Sequence, residues 1–208
     1  IQLCLCLAES ITSNQSAFIK QLQETPLGTF PVIGGTSSDN GSYNNTFQIF
    51  NGKIITNAIP LLFFGGNMYY SFGNAACWEP ITKRALVKKS KGNKVYIIDK
   101  LTAIEYYEHY LGNHTVPSAP YSLAIIEDSE IEEVYSMRLP IAYNQNDGSI
   151  SFTADIKENA IVALSYTSRE DIIASAKSSI QRALAQFKGS SISSIIILSS
   201  YTRKEVLG

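Results

Sequence analysis

The dipeptide Asn51-Gly52 constrains the fold of this chain more than any other local feature. Apolar residues flank it on both sides, over residues 46–50 and 53–62. Both central residues of a tight type I′ turn need a positive φ, which asparagine and glycine adopt at little cost. The sequence therefore predicts an antiparallel hairpin here, and a purely parallel sheet is not expected.

A strand–helix–strand unit precedes this hairpin. Residues 1–8 are nearly all apolar and predict a buried strand, and residues 29–33 predict a second one. Between these strands, Ser13 or Asn14 can cap a helix. Two strands that are joined through a helix favour a parallel pair when they share a sheet.

Two further helices are marked by capping-box patterns, in which glutamate follows a threonine by three residues. The two pairs are Thr102 with Glu105 and Thr167 with Glu170. Short apolar runs separated by turns predict antiparallel strands around both helices, and residues 192–198 predict a buried closing strand.

Together these elements predict a mixed α/β (α+β) fold. It has a βαβ start, followed by antiparallel hairpins and by helices packed on the sheets, in two halves of similar size. Pro117 and Pro120 interrupt the pattern, so we expect the boundary near residues 113–120 and the halves to be 1–115 and 116–208.

The charge balance of the chain argues against several classes of partner. Its 17 basic and 18 acidic residues give a net charge of −1, which provides no electrostatic footprint for nucleic acid or an anionic membrane. No run approaches the roughly 20 apolar residues that span a bilayer, and no signal peptide is recognisable. We therefore expect a cytoplasmic location. The chain lacks an initiator methionine, and we expect it to be a piece of a longer one.

The residue types that perform common catalytic chemistry form no recognisable pattern. There is no Gly-x-Ser-x-Gly elbow and no phosphate-binding loop. Cys4, Cys6 and Cys77 do not describe a disulfide framework, and His109 and His114 are too isolated to complete a metal site. A pairing of Cys77 with either histidine stays open, because sequence spacing does not set that geometry. We expect no catalytic residue and no metal.

Three residues suggest a binding cleft instead. Trp78, the only tryptophan, lies in a turn-like segment, and Arg138 lies within an apolar strand. Arg203 follows the predicted closing strand, where the carboxyl end of a sheet opens a crevice. Arginine on an apolar strand either pairs with an internal carboxylate or binds an anionic ligand, and both alternatives remain open.

In four segments that follow one another along most of the chain, the sequence resembles the FIST family (F-box and intracellular signal transduction domains). The segments are GGTSSD (34–39) with TFQIFNGK (46–53), WEPI (78–81) with VYIID (95–99), RLP (138–140) with DGSI (147–150), and SSYTR (199–203) with the final Leu207-Gly208. Their order and spacing carry the resemblance, since each segment alone is short.

The resemblance implies an intracellular sensory domain. Residues 1–115 correspond to the FIST N-terminal half, incomplete at its start, and residues 116–208 to the C-terminal half, truncated at its end. Members of the family are often coupled to bacterial signalling outputs and are proposed to bind small ligands, amino acids among them. A signalling output domain or protein is therefore the expected partner.

The expected ligand-binding residues are Trp78, Arg138, Arg203 and, from the first of the similar segments, Asp39. The chain departs from the family at residues 199–202, where cysteine is frequent in other members. A haem role, described for some bacterial members, is not carried over, because His109 is expected on an exposed helix face. The cofactor stays unknown.

Three functions can be distinguished by structure. A ligand sensor predicts a pocket near Trp78, Arg138 and Arg203. A protein–protein adaptor predicts an exposed apolar or tyrosine-rich patch. A cysteine-dependent enzyme predicts a partly exposed Cys77 with a histidine in hydrogen-bonding reach. Sensing is the reading that the sequence favours.

Overall fold

The computed structural model describes the positions of residues 1–9, 18–19, 21–22, 24, 29–39, 45–115, 117–128 and 133–208. The chain forms two units. The first comprises Ile1–Ser71 and Gln186–Tyr201, and the second comprises Phe72–Ala185 and Thr202–Gly208. The backbone therefore passes from one unit to the other three times.

The first unit contains a three-stranded sheet. Its central strand β1 (Leu3–Ala8) pairs in parallel with β2 (Val32–Thr36) and antiparallel with β5 (Leu61–Phe64). Most of the β1 side chains are buried on both faces of the sheet, since successive buried residues point to opposite faces. The predicted parallel pair is confirmed, but its second strand begins at Val32 and not at residue 29, and it continues through Gly34 and Gly35.

The helix predicted between β1 and β2 is found at the described residues of that stretch. Its Leu22 packs with Cys4 of β1 and with Phe30, and these three side chains form a buried cluster within the unit. The predicted caps Ser13 and Asn14 lie outside the described residues.

The hairpin predicted at Asn51-Gly52 is confirmed. It joins β3 (Gln48–Phe50) to β4 (Lys53–Ile55), which pair antiparallel. Asn51 and Gly52 have φ angles of 49° and 72°. These are the left-handed values that a type I′ turn requires, and they explain why these two residue types occur there.

The second unit is built on antiparallel strands. They are β6 (Glu79–Pro80), β7 (Ala85–Lys91), β8 (Lys94–Ile98), β9 (Leu101–Thr102), β10 (Tyr121–Asp128), β11 (Glu133–Arg138), β12 (Pro140–Asn144), β13 (Ser149–Phe152) and β14 (Ile161–Tyr166). The strand order is β11-β10-β14-β7-β8-β13-β12, with β6 beside β14 and β9 beside β8. Together with the βαβ start of the first unit, this sheet confirms the mixed α/β class.

Three further helices are α1 (Ala103–Leu111), α2 (Arg169–Gln186) and α3 (Tyr201–Leu207). No helix in the described part of the chain is both long enough and apolar enough to cross a membrane. The α1 helix covers the core of the second unit, where Tyr107 is completely buried. Its fully buried neighbours on the sheet are Val87, Val95, Ile98, Leu123, Ile150, Phe152, Val162 and Leu164.

The capping box predicted at the start of α1 is confirmed. The Thr102 hydroxyl accepts a hydrogen bond from the Glu105 backbone N–H at 3.3 Å, and the Glu105 carboxylate accepts one from the Thr102 backbone N–H at 2.8 Å. These reciprocal bonds satisfy two backbone donors that the helix itself cannot pair. The hydrogen bonds that the Thr102 backbone N–H and hydroxyl donate to the Glu105 carboxylate lower the pKa of Glu105.

The capping box predicted at the start of α2 is wrong by one residue. Ser168 and Asp171 form it, not Thr167 and Glu170. The reason is burial: Thr167 is completely enclosed, and its backbone N–H donates to the Pro120 carbonyl. Ser168 is the next residue whose side chain can reach the helix terminus.

The closing strand predicted at residues 192–198 is also wrong. This stretch has no strand pairing, and its apolar side chains are exposed, with Ile195 at 66% and Ile197 at 72%. A run of β-branched residues indicates the capacity to form a strand, but a strand also needs a neighbour for its backbone groups. No strand of the described residues supplies that neighbour.

Candidate functional site

Trp78 lies at the centre of a small buried cluster in the second unit. It packs with Cys77 and with Ile172 of α2, and three partly buried side chains surround them: Met137, Val206 and Leu207. The indole N–H donates to the Ala119 carbonyl at 3.2 Å, so the polar edge of the ring is hydrogen-bonded as the indole of a buried tryptophan usually is.

Arg203 lies on α3 beside this cluster. Its guanidinium donates to the Ala75 carbonyl at 2.8 Å, three residues before Trp78. At the other end of α3, Arg169 donates to the Leu207 carbonyl at 2.6 Å, where a cation is favourable next to the negative end of the helix. Two arginines therefore hold α3 against the cluster that Trp78 forms.

Arg138 lies on the opposite face of its strand from this cluster. In the β10–β11 ladder, Arg138 is opposite Leu123 of the main core, whereas the preceding Met137 is opposite Ala124 and packs towards Trp78. Successive side chains of a strand point to opposite faces. The structure thus brings Trp78 and Arg203 together and directs Arg138 away from them.

Backbone carbonyls accept the hydrogen bonds that Arg138 donates. Its Nε bonds to the Asp155 carbonyl at 3.3 Å and its Nη1 to the Met137 carbonyl at 3.1 Å. Burial lowers the pKa of Arg138, and the charges of Glu127 and Asp155 partly oppose that effect. An arginine that is half-buried among carbonyl groups is structurally satisfied.

Asp39 lies in the first unit, after the end of β2. Its carboxylate accepts a hydrogen bond from the Asn45 backbone N–H at 3.1 Å. Asp39 therefore lies in a different unit from Trp78, Arg138 and Arg203, the other predicted binding residues. Ligand binding by any of the four stays a prediction.

The first unit also contains a set of polar side chains that the sequence analysis missed, named here the Gln48 cluster: Glu9, Ser37, Thr46 and Gln48. Glu9 follows β1 and Ser37 follows β2, so both lie at the carboxyl ends of the parallel pair. The Thr46 hydroxyl donates to the Glu9 carboxylate at 2.6 Å, and the Gln48 amide donates to the Ser37 hydroxyl at 3.0 Å.

One atom of the Gln48 cluster lacks a hydrogen bond. Glu9, Thr46 and Gln48 are 2%, 6% and 7% exposed, and the Oε1 atom of Gln48 is enclosed with no partner among the described residues. An unsatisfied buried acceptor costs about 1–3 kcal/mol of folding free energy. The signal that could have revealed this cluster is the alternation of polar Thr46 and Gln48 with apolar residues in the segment that enters β3.

The cysteine-dependent alternative gains no support from the geometry. Cys77 is only 5% exposed, both His109 and His114 are exposed, and no hydrogen bond joins the thiol to either imidazole in the described part of the chain. Cys4 and Cys6 are buried free thiols whose pKa values are raised by burial. The residues that the structure describes contain no group of three or more potential metal ligands.

Two family models match consecutive parts of the chain, one over residues 2–100 and the other over residues 103–208. They define a two-part sensory domain of signal transduction, in a family that is not enzymatic. The models are those of the FIST N domain and the FIST C domain, and the chain belongs to the FIST family. The resemblance seen in the sequence is confirmed, while the division at residues 115 and 116 stays a prediction.

A curated relative is similar to part of the chain. It is an uncharacterized protein of Methanocaldococcus jannaschii, 27% identical over 137 residues, which are 64% of this chain and 27% of the relative. The chain thus spans about a quarter of the length of that relative. No solved structure matches the chain.

Proposed function

We propose that this chain is an intracellular sensory domain that binds a small ligand and relays the binding to a partner domain or protein. The observation that carries the proposal is the match of both FIST models, which together extend over nearly the whole chain. A cytoplasmic location is part of the same proposal.

Arg203 is the residue through which we propose the ligand acts. One of its acceptors, the Ala75 carbonyl, is neutral. A carboxylate carries the opposite charge and can accept two parallel hydrogen bonds from a guanidinium, which a single carbonyl cannot, so an anionic ligand would compete well for this guanidinium. Its binding would loosen α3 from the cluster that contains Trp78.

The packing of the residues near Arg203 supports a role for α3 as the switch. Val206 and Leu207 of α3 pack against the buried Cys77, Trp78 and Ile172 and are themselves partly buried. A seven-residue helix is too short to be stable without such packing, and so it depends on these contacts. A ligand that removes one anchor changes the order of the whole helix, and this change is the signal that we propose a partner detects.

The fluorescence of Trp78 tests the proposal directly, because it is the only tryptophan in the chain. The twenty L-amino acids are titrated as probes that carry a carboxylate. We expect at least one of them to shift the emission saturably, and Arg203→Gln to weaken that binding about tenfold or more.

Arg182→Gln is the matched control. Arg182 also donates to a backbone carbonyl, that of Asn74 at 3.0 Å, but it is exposed on α2 and is outside the Trp78 cluster. The Arg182→Gln variant should bind the amino-acid probe as the wild type does. Equal loss in both variants would contradict a role for Arg203, and no saturable shift with any amino acid would contradict carboxylate sensing by this cluster.

A protein–protein adaptor is a second candidate, and one observation favours it. Phe47, Ile49 and Ile54 of the β3–β4 hairpin are 57%, 70% and 72% exposed, and Ile49 lies directly opposite Ile54. Exposed apolar residues that are grouped in this way are typical of interaction surfaces. If the adaptor function is correct, the double variant Ile49→Ser/Ile54→Ser loses self-association or partner binding in sedimentation, whereas Ile81→Ser, at a position 50% exposed elsewhere, does not.

A further inference from the structure

The basic residues of the chain are concentrated in the segment that forms the hairpin of β7 and β8. Residues 83–94 contain six of the 17 basic residues and no acidic residue. All 18 acidic residues lie in the rest of the chain, together with the other 11 basic ones. The net charge of −1 therefore conceals a strongly positive segment, and such a local excess attracts an acidic partner.

Three lysines of this hairpin are exposed and have no counter-charge: Lys88, Lys89 and Lys91. Among the residues that the structure describes, none of the three forms an ion pair or donates a side-chain hydrogen bond. Lys91 lies directly opposite Lys94 in the ladder, where like charges destabilise the strand pair. Lys94 itself is paired with Asp147 at 3.2 Å. The grouping of the other three lysines thus contributes nothing to the stability of the fold.

Irregularities in the β7–β8 ladder leave two neighbouring lysines exposed. The register shifts between Val87 and Lys89, with Lys88 as the extra residue, and both lysines are exposed. Bulges of this kind re-aim side chains that a regular strand would direct to opposite faces. The ammonium groups of Lys89 and Lys94 lie 5.3 and 5.4 Å from the centre of the Tyr96 ring, which attracts both cations.

The hairpin is fixed to the segment that follows β13. The Ser90 hydroxyl donates to the Ile156 carbonyl at 2.6 Å, and the Asn93 side-chain amide donates to the Phe152 carbonyl at 2.8 Å. In return, the Ile156 backbone N–H donates to the Gly92 carbonyl at 3.0 Å. A surface that is held in place before binding loses little conformational freedom on association.

Acidic side chains next to the hairpin limit the size of the positive patch. The Asp147 carboxylate lies beside Lys94, and the Glu158 carboxylate accepts a hydrogen bond from the Ser90 backbone N–H at 3.3 Å. A long polyanion such as nucleic acid, or the surface of an anionic membrane, would meet these like charges, which weaken its association. A short acidic segment of a protein avoids most of this repulsion, so it is the partner that the charges favour.

We propose that the β7–β8 hairpin is the surface on which a short acidic segment of a partner protein docks. The carboxylates of that segment form ion pairs with Lys88, Lys89 and Lys91. The inference rests on the proposed function for the existence of a partner, and it specifies the chemistry of that partner. Docking does not require a ligand at Arg203, so the two sites can be tested separately.

The binding of fluorescein-labelled hexaglutamate to the full chain tests this inference, as followed by fluorescence anisotropy. Low ionic strength is used because salt screens exposed charges. We expect hexaglutamate to bind saturably, added salt to weaken the binding, and labelled hexaglutamine not to bind. Unlabelled oligothymidylate and phosphatidylserine vesicles should compete less well than unlabelled hexaglutamate.

Two triple variants of the hairpin distinguish charge from shape. Lys88→Gln/Lys89→Gln/Lys91→Gln removes three exposed charges, and we expect hexaglutamate to bind about tenfold more weakly. Lys88→Arg/Lys89→Arg/Lys91→Arg keeps the charges and should bind as the wild type does. Thermal unfolding checks that both variants are folded. If the glutamine variant does not fold, Lys91→Glu alone decides, and unchanged affinity in it overturns the inference.

A matched control removes three exposed lysines from other parts of the chain: Lys53→Gln/Lys177→Gln/Lys188→Gln. It changes the net charge by the same amount as the glutamine variant of the hairpin, so it separates the local patch from the overall charge. Its affinity for hexaglutamate should fall by less than about twofold. An equal loss in the two variants overturns the inference.

Three further results also overturn it. These are the absence of saturable hexaglutamate binding to the wild type, unchanged affinity in the glutamine variant of the hairpin, and tighter binding of oligothymidylate or vesicles than of hexaglutamate. Arg203→Gln should bind hexaglutamate as the wild type does. If only Arg203→Gln loses affinity, the peptide binds at Arg203, which overturns docking on the hairpin but supports carboxylate sensing. A failure of hexaglutamate to bind leaves the Trp78 titration with amino acids unaffected, so the two proposals fail separately.

Discussion

The Thr46 hydroxyl and the Glu9 carboxylate are joined by a hydrogen bond of 2.6 Å between two side chains that are almost completely buried. They are 37 residues apart in the sequence, so this bond ties the segment that enters β3 to the end of β1. A buried carboxylate must be hydrogen-bonded, because its desolvation is otherwise costly.

Thr46→Val tests the contribution of this bond, because valine has nearly the shape of threonine but no hydroxyl. We expect the free energy of unfolding to fall by about 1–3 kcal/mol, since the Glu9 carboxylate loses a donor. Urea denaturation measures the change. Thr56→Val, at an exposed position, is the control and should change the stability by less than about 0.5 kcal/mol. Equal effects at both positions would show that the bond contributes nothing specific.

The capping box at α2 predicts a dependence on pH. Hydrogen bonds from the side chain and backbone of Ser168 lower the pKa of Asp171 below its ordinary value. A carboxyl group whose pKa is lowered by folding stabilises the protein above its unfolded pKa, about 3.9 for aspartate, and this contribution is lost as the pH falls through the lowered value. We expect the stability advantage of the wild type over Asp171→Asn to be complete near pH 6.

That advantage should shrink below about pH 4, as measured by thermal unfolding across the pH range. Ser168→Ala removes the other half of the capping box and should cost about 1 kcal/mol at neutral pH. Ser190→Ala, at an exposed position outside the helices, serves as the control for it. An advantage over Asp171→Asn that does not change with pH would contradict the contribution of the Ser168 hydrogen bonds.

Local signals in the sequence predicted the elements whose geometry is local. Asn51-Gly52 specifies its turn through the φ angles of two adjacent residues, and Thr102 with Glu105 caps α1 within a single helical turn. In contrast, Thr167 has the right side chain for a cap but is buried by its surroundings, a tertiary effect that a three-residue spacing does not encode.

The Gln48 cluster likewise depends on tertiary structure that local sequence signals do not encode. Glu9, Ser37 and Thr46 come together only because β1 and β2 pair in parallel and the hairpin returns to their ends. No spacing in the sequence contains that register. For Trp78 and Arg203, the sequence indicated the residue types, but only the docking of α3 beside Cys77 and Trp78 brought them together.

Gly148 permits a close approach to the start of α1. It has a φ of 67°, and a Cβ atom at this position would lie 2.6 Å from the Thr102 Cβ, whereas Gly52, with a φ of 72°, has open space around it. Gly52→Ala therefore measures the backbone strain alone, about 1 kcal/mol, and Gly148→Ala measures strain plus collision.

We expect Gly148→Ala to cost at least about 2 kcal/mol more than Gly52→Ala in urea denaturation, because overpacking forces the backbone around Thr102 to move. The capping box of α1 should be disturbed at the same time, which hydrogen exchange of the Glu105 amide can detect. If both substitutions cost the same, Thr102 moves aside freely and the close contact has no energetic consequence.

Substitution of Ile197 tests whether residues 192–198 are exposed, as observed, or form the buried strand that their sequence favours. It is 72% exposed, so Ile197→Ala removes little buried surface and should change the free energy of unfolding by less than about 0.5 kcal/mol. Ile98→Ala, at a completely buried position of β8, should cost about 2–5 kcal/mol because it leaves a cavity. The two variants undergo the same chemical change, and denaturation of both under one set of conditions compares burial alone. A cost at Ile197 that approaches the cost at Ile98 would mean that this run of isoleucines is buried as a strand in solution.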